Sequence, residues 1–336
     1  MDWSLILSNT IRAGFTQTAI IYILAAIGMN LHVGYTGLLN FGQVGFMAVG
    51  AYGVGISTYT YGLPLWLGIL IGLVCGVVLA LLLGMPTLRL RSDYLAIVTI
   101  AAAEIIRLVV RFQKLKDWSG GTNGINGFAD EFQEWNPLTP SARYGVKLGP
   151  IDLGFSGGDV WEIVIGWLLV FGSVALMWRL VNSPWGRVLK SIREDENAAR
   201  AMGKNVFRFK MQSLILGGLF GTVAGMFFAI SNNSVQPDNY SRAFTFFALT
   251  IAILGGLGRV WGPVVGGIMF WMLLSGVENL LREAVDNDKI PTSIMDGVQV
   301  GQVRFMLVGI GLMLLMIFRP QGAFGDKREI AIDVRK

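Results

Sequence analysis

Apolar stretches long enough to cross a lipid bilayer recur from one end of this chain to the other. The hydrocarbon core is about 30 Å thick and a helix rises about 1.5 Å per residue, so roughly 20 apolar residues make a span. Backbone amides and carbonyls find no water in lipid, and an α-helix satisfies them internally. The repeat therefore predicts an all-α, polytopic integral membrane protein with about 8–10 transmembrane helices. We read nine spans, near residues 15–31, 44–59, 63–84, 94–110, 160–181, 211–231, 244–257, 264–281 and 304–318, with the region 32–60 broken. Composition agrees: 15% of residues are charged, against about 25% in soluble domains, and the 44 glycines fit membrane helices. The first fourteen residues carry a single basic residue, Arg12, and no small-residue cleavage site, so the first apolar run is expected to stay as an anchor.

Lysine and arginine set the expected sidedness. The 182–210 loop holds seven basic and three acidic residues, and the 319–336 tail five and three. Arg89 and Arg91 sit in the short 85–92 turn. By contrast, 112–159 holds four basic and six acidic residues, and 282–302 two and four. The nine spans put the three positive segments on one side and both negative ones on the other. The loop 182–210 and the C-terminal tail are thus expected in the cytoplasm, with 112–159 outside and the N-terminus also outside. The net charge of +5 is this bias, not a nucleic-acid footprint.

The stretch "SIREDENAARAMGKNVFRFK", residues 191–210, is a dense polar segment between two apolar runs. Ten ionised residues in 182–210 would cost roughly 30 kcal/mol in lipid, so the loop lies in water or against protein. Ser191 and Glu194 fit an S-x-x-E capping box, Ala198, Ala199, Ala201 and Met202 continue a helix, and Gly203 suits its stop. Val206, Phe207 and Phe209 are expected to be exposed after it. The segment reads either as a solvated basic loop or as a docking helix whose small residues let a partner approach closely.

Other signals limit the chemistry. One histidine, His32, and one cysteine, Cys75, build neither a Cys/His metal site nor a disulfide within the chain. No G-x-x-x-x-G-K-[ST] occurs; the one Gly-Lys pair, Gly203–Lys204, lacks the rest of the motif. "VGYTGLLNFGQVG", residues 33–45, has four glycines among Thr36, Asn40 and Gln43. Irregular backbone at membrane depth needs protein or a watery cavity around it, and broken helices recur at transporter sites. We therefore expect Asn40 and Gln43 beside a translocation route, the alternative being a plain turn between spans. Glu104 and Arg107 lie three apart on one helix face: Glu104 is a pathway candidate by its depth, or the two simply pair. Gly68, Gly72 and Gly76, and again Gly217, Gly221 and Gly225, form small-residue ridges for close helix contact, within the chain or against a partner. Trp66, Trp118, Trp161 and Trp178 lie near span ends, where an aromatic belt is expected. The 112–159 loop, with nine glycines and three prolines, reads as a solute-receiving mouth or as a cap over the helix ends.

The motifs together resemble a known family. "REDENAARAMGKNVFRFK" (193–210) is similar to the cytoplasmic E-x-A-A-x-x-x-G loop of ABC importer permeases. "NLHVGYTGLLNFGQVGFMAVGAY" (30–52), "LRSDYLAIVTIAAAEIIR" (90–107), "GGTNGI" (120–125), "LGGLGRVWGPVVGG" (254–267) and "FRPQGAFG" (318–325) resemble LivM-type permeases for branched-chain amino acids, in the family's order and over roughly residues 20–325. The resemblance implies one transmembrane permease domain over 1–336, in the plasma membrane of a bacterium or archaeon. It implies a second, similar permease subunit, two cytoplasmic ATPase subunits that hydrolyse the ATP, and an extracytoplasmic solute-binding protein. It makes Glu196, Ala198, Ala199 and Gly203 the coupling helix. The chain itself is expected to bind no cofactor, no metal and no nucleic acid, and to be no enzyme. Branched-chain or other small neutral amino acids are the implied cargo, with urea or amides as alternatives. A stand-alone secondary transporter is the rival from another class, but carboxylates and histidines for cation or proton coupling are nearly absent. A membrane enzyme ranks last, since no His/Cys/Asp metal cluster is visible.

Overall fold

The fold is a bundle of α-helices, seen in a computed structural model that describes residues 3–89, 92–139, 142–145, 147–148, 151–152, 154–286, 299–319 and 322. Arg91 and most of the expected tail 319–336, of "FRPQGAFG" and of the 282–302 loop lie outside the described residues. In chain order the helices are α1 (Trp3–Ala13), α2 (Gln17–Met29), α3 (Gln43–Tyr59), α4 (Leu65–Thr87), α5 (Ser92–Arg111), α6 (Lys116–Ser119), α7 (Asp130–Glu134), α8 (Gly157–Asn182), α9 (Pro184–Glu194), α10 (Glu196–Ala201), α11 (Val206–Ser231), α12 (Arg242–Gly255), α13 (Gly262–Asp286) and α14 (Val300–Phe318). Each of the nine expected spans falls on one helix. Among the described residues, five helical stretches are long and apolar enough to cross a bilayer by length and composition: Trp3–Thr36, Leu65–Thr87, Gly157–Asn182, Val206–Ser231 and Gly262–Asp286.

Two features depart from the sequence reading. First, α1 had no counterpart among the nine spans. Its 11 residues are too short to cross alone; it buries Ile6 and Ser8, packs along α13 and leads through residues 14–16 into α2. Second, the region 32–60 is not broken throughout. α2 runs on as a π-helix, Asn30–Thr36, the chain is irregular only at 37–42, and α3 is a regular helix of 17 residues.

Both glycine ridges pack inside the subunit, which answers a question the sequence left open. Gly72 of α4 meets the backbone of Gly50 and Gly53 on α3, and Gly76 meets Thr222 on α11. Gly217 lies against the His32 ring, Gly221 against Gln43, and Gly225 against the Met47 backbone. α2, α3 and α11 thus form the buried centre, where Ile23, Leu24, Met47 and Ala224 are fully enclosed. Dispersion contacts at this close range replace the hydrophobic drive that lipid cannot supply.

The helix ends sort into two faces of the bundle. One carries α9, α10, the π-helix and the 256–261 turn. The other carries residues 112–139, with α6, α7 and a short antiparallel pairing of Ile125–Asn126 with Ser234–Val235. This second end is a packed cap: Glu131 Oε2 accepts the Leu65 amide at 2.8 Å, Asn233 Oδ1 accepts the Ala129 amide at 2.7 Å, and Trp161 Nε1 donates to the Phe132 carbonyl at 3.0 Å.

Candidate functional site: a surface helix tied to a broken span

α10 follows α9 after a one-residue break at Asp195, whose extended backbone (φ −152°, ψ 107°) stops one helix and starts the next. The Asp195 carboxylate caps α10, accepting the amides of Asn197 at 2.8 Å and Ala198 at 3.0 Å. The expected capping box at Ser191 and Glu194 is not formed. Ser191 lies in the third turn of α9, which begins at Pro184 after the N-cap Ser183, and its hydroxyl donates back to the Val188 carbonyl at 2.8 Å. Pro184 at the first helical position was the stronger start signal. At the far end of α10, Gly203 takes φ 77° and donates to the Arg200 carbonyl at 3.0 Å, while Lys204 donates to Ala199 at 3.2 Å. This Schellman pattern needs the left-handed residue that glycine supplies at least cost.

The expected site residues take different roles. Ala198 and Gly203 are exposed, beside exposed Asn197, Arg200 and Met202. Ala199 points inward and is buried with Ile192 and Val206, the small-residue contact by which α10 lies on α9 and α11. Glu196 is half-buried, paired with Lys210 and with Arg200 at 2.9 Å. Of the three residues expected to be exposed after the helix, only Phe207 is; Val206 is buried and Phe209 half-buried.

α9 joins this surface helix to the broken span. Arg193 Nη1 donates to the Gly34 carbonyl in the π-helix, Gly37 packs on the Arg193 backbone, and Lys190 lies 5.7 Å from the Tyr35 ring centre. Behind this contact several polar groups of the break are paired. Asn40 Oδ1 accepts the Gly42 amide at 2.9 Å, which turns its Nδ2 toward His32 Nδ1 at 3.2 Å. His32 Nδ1 therefore accepts, and Nε2 donates to the Leu214 carbonyl at 3.3 Å. Thr99 Oγ1 accepts the Phe41 amide at 3.1 Å and Thr245 Oγ1 the Val44 amide at 3.0 Å, so α5 and α12 cap the irregular segment. Gln43 Nε2 donates to the Gly217 carbonyl at 2.9 Å, while its Oε1 is buried without a partner. Asn40 and Gln43 are both fully buried here. His32 escaped the sequence reading because one histidine suggests no site; its proximity to "VGYTGLLNFGQVG" was the available clue.

Glu104 sits elsewhere, at the capped end. Arg107 binds it at 2.6 Å and reaches Asp238 at 2.9 Å, and Arg111 adds a second contact to Asp238 at 3.2 Å. The pairing expected from the three-residue spacing is present, and it extends to the 237–240 turn.

A bundle of apolar helices with a capped surface helix at one end, joined to a discontinuous span, is consistent with a membrane permease. The chain belongs to the family described as the branched-chain amino acid transport system permease component, whose model matches residues 11–318. It is 32% identical over 312 residues to the LivM high-affinity branched-chain amino acid permease of Salmonella typhimurium, covering 90% of this chain and 67% of that one. The LivM of Escherichia coli is 32% identical with the same coverage. A LivM-type permease of Methanocaldococcus jannaschii is 24% identical, covering 94% of both chains.

Proposed function

We propose that this chain is the transmembrane permease subunit of an ATP-binding cassette importer that carries branched-chain or other small neutral amino acids across the plasma membrane of a bacterium or archaeon. A second homologous permease subunit completes the membrane part as a heterodimer. Two cytoplasmic ATPase subunits hydrolyse ATP, and an extracytoplasmic binding protein delivers the solute. The α9–α10 end and the C-terminus face the cytoplasm, and the 112–139 cap faces outward.

One observation carries the reading. α10 is capped at both ends, seated on α9 and α11 by buried Ala199, and presents Ala198, Met202 and Gly203 outward. A helix fixed from behind, with Ala198 and Gly203 among its outward residues, is a seat for another protein's surface, and the sequence carries no G-x-x-x-x-G-K-[ST] motif. In this reading the 37–42 break borders the route. Rearrangement there frees Gln43 Oε1, and Asn40 with it, to meet the solute, while Glu104 stands near the outer end.

The test is uptake into proteoliposomes. The assembled complex is expected to take up leucine only with ATP on the α10 side, and Gly203→Trp to lose both uptake and co-purifying ATPase. Gradient-driven uptake by this chain alone would overturn the proposal.

A further inference from the structure

The charged cluster where α5, α12 and the 237–240 turn meet is paired on its inner side and open on its outer side. Arg107, 16% exposed, is held between Glu104 at 2.6 Å and Asp238 at 2.9 Å. Both contacts to Asp238, from Arg107 and from Arg111, fall on Oδ1. Its Oδ2 has no partner among the described residues, and the side chain is 60% exposed. Arg242 is 64% exposed and comes no closer to a carboxylate than 3.9 Å, at Glu104 Oε2. The Glu104–Arg107 pair thus fixes from behind one open carboxylate oxygen and one loosely held guanidinium.

Exposed ion pairs are ordinarily solvated and do little. Depth and connection set this cluster apart. α5 has 20 residues, about the thickness of the hydrocarbon core, and Glu104 lies about 10 Å inside its end at Arg111. α12 has 14 residues, about 21 Å, and so starts below the surface, with Arg242 beside Glu104. Open charges at that depth call for water or protein around them, not acyl chains. One turn further along the same face of α12, the exposed Phe246 ring lies 5.9 Å from that of half-buried Phe41, within the 37–42 break. We infer that the cluster is a reception site for the zwitterionic head of the solute: Arg242 meets its carboxylate, Asp238 Oδ2 meets its ammonium, and the Phe246–Phe41 strip leads its apolar side chain to the break. The inference rests on the proposed function, in which the solute is a small amino acid arriving at the capped end.

Thiol protection in the assembled complex, without the binding protein, tests this. Ala243 is exposed next to Arg242, and Ala243→Cys in a Cys75→Ser background supplies the reporter. An impermeant maleimide is expected to reach it from the capped side, and leucine to slow the reaction. Isopentylamine, which lacks the carboxylate, and 4-methylpentanoate, which lacks the ammonium, are expected not to. Adding Arg242→Gln or Asp238→Asn should raise the leucine needed for equal protection roughly tenfold, with Arg242→Lys nearer the parent. Unchanged labelling without leucine and unchanged ATPase activity show that the variants assemble. A thiol that leucine leaves unprotected, that either half-molecule protects equally, or that the maleimide cannot reach because lipid or the second permease covers it would overturn the assignment. ATP-driven leucine uptake by the same reporter complex separates that result from failure of the importer reading.

Discussion

Single residues decide whether the buried centre closes. A Cβ on Gly225 would fall on the Met47 carbonyl oxygen, whereas one on Gly172 meets nothing within 4 Å. Gly225→Leu is therefore expected to cost about 3 kcal/mol or more and to remove the folded protein from detergent extracts, with Gly172→Leu behaving as wild type in the same thermal assay. The spacing of the ridges was legible in the sequence. Their partner was not, because glycine spacing states that something comes close but not what. Asn40 belongs to the same scale. Asn40→Ala strips His32 Nδ1 and the Gly42 amide of partners at once, and a loss of about 1–2 kcal/mol is expected in denaturant unfolding. An unchanged midpoint would mean that water replaces both bonds.

At the scale of elements, the interesting joint is between α9 and the π-helix. A π-helical turn carries an extra residue per turn and is a natural place for a helix to change register. Arg193 fastens that turn to the base of α10 through the Gly34 carbonyl, so under the proposed function a movement imposed on α10 would reach the break through this contact. Arg193→Ala is expected to leave the ATPase bound and hydrolysing while transport per ATP falls severalfold; a parallel fall in both would mean that the contact only supports assembly. The sequence revealed α10 and the break but not this joint, since Gly34 and Arg193 lie 159 positions apart. It also set the start of the polar helix wrongly. Ser191 and Glu194 satisfy the capping pattern, yet Ser183-Pro184 upstream and Asp195 downstream do the work, because proline fixes the entry and a carboxylate meets two amides.

For the whole molecule, nine of the helices were visible as apolar runs, while α1 was not, being short and amphipathic and needing α13 to cover it. Alternating directions bring Arg89 at the end of α4 to the Phe207 ring near the start of α11, as the charge pattern required. All of this supports a conduit worked from one end, and that claim has a direct measurement. In a Cys75→Ser background, Ala198→Cys places one thiol on the exposed face of α10. An impermeant maleimide should label it only in inside-out vesicles, and adding the ATPase subunit should block labelling and allow a cross-link. Labelling in right-side-out vesicles, or a thiol that stays open in the assembled complex, would contradict the account.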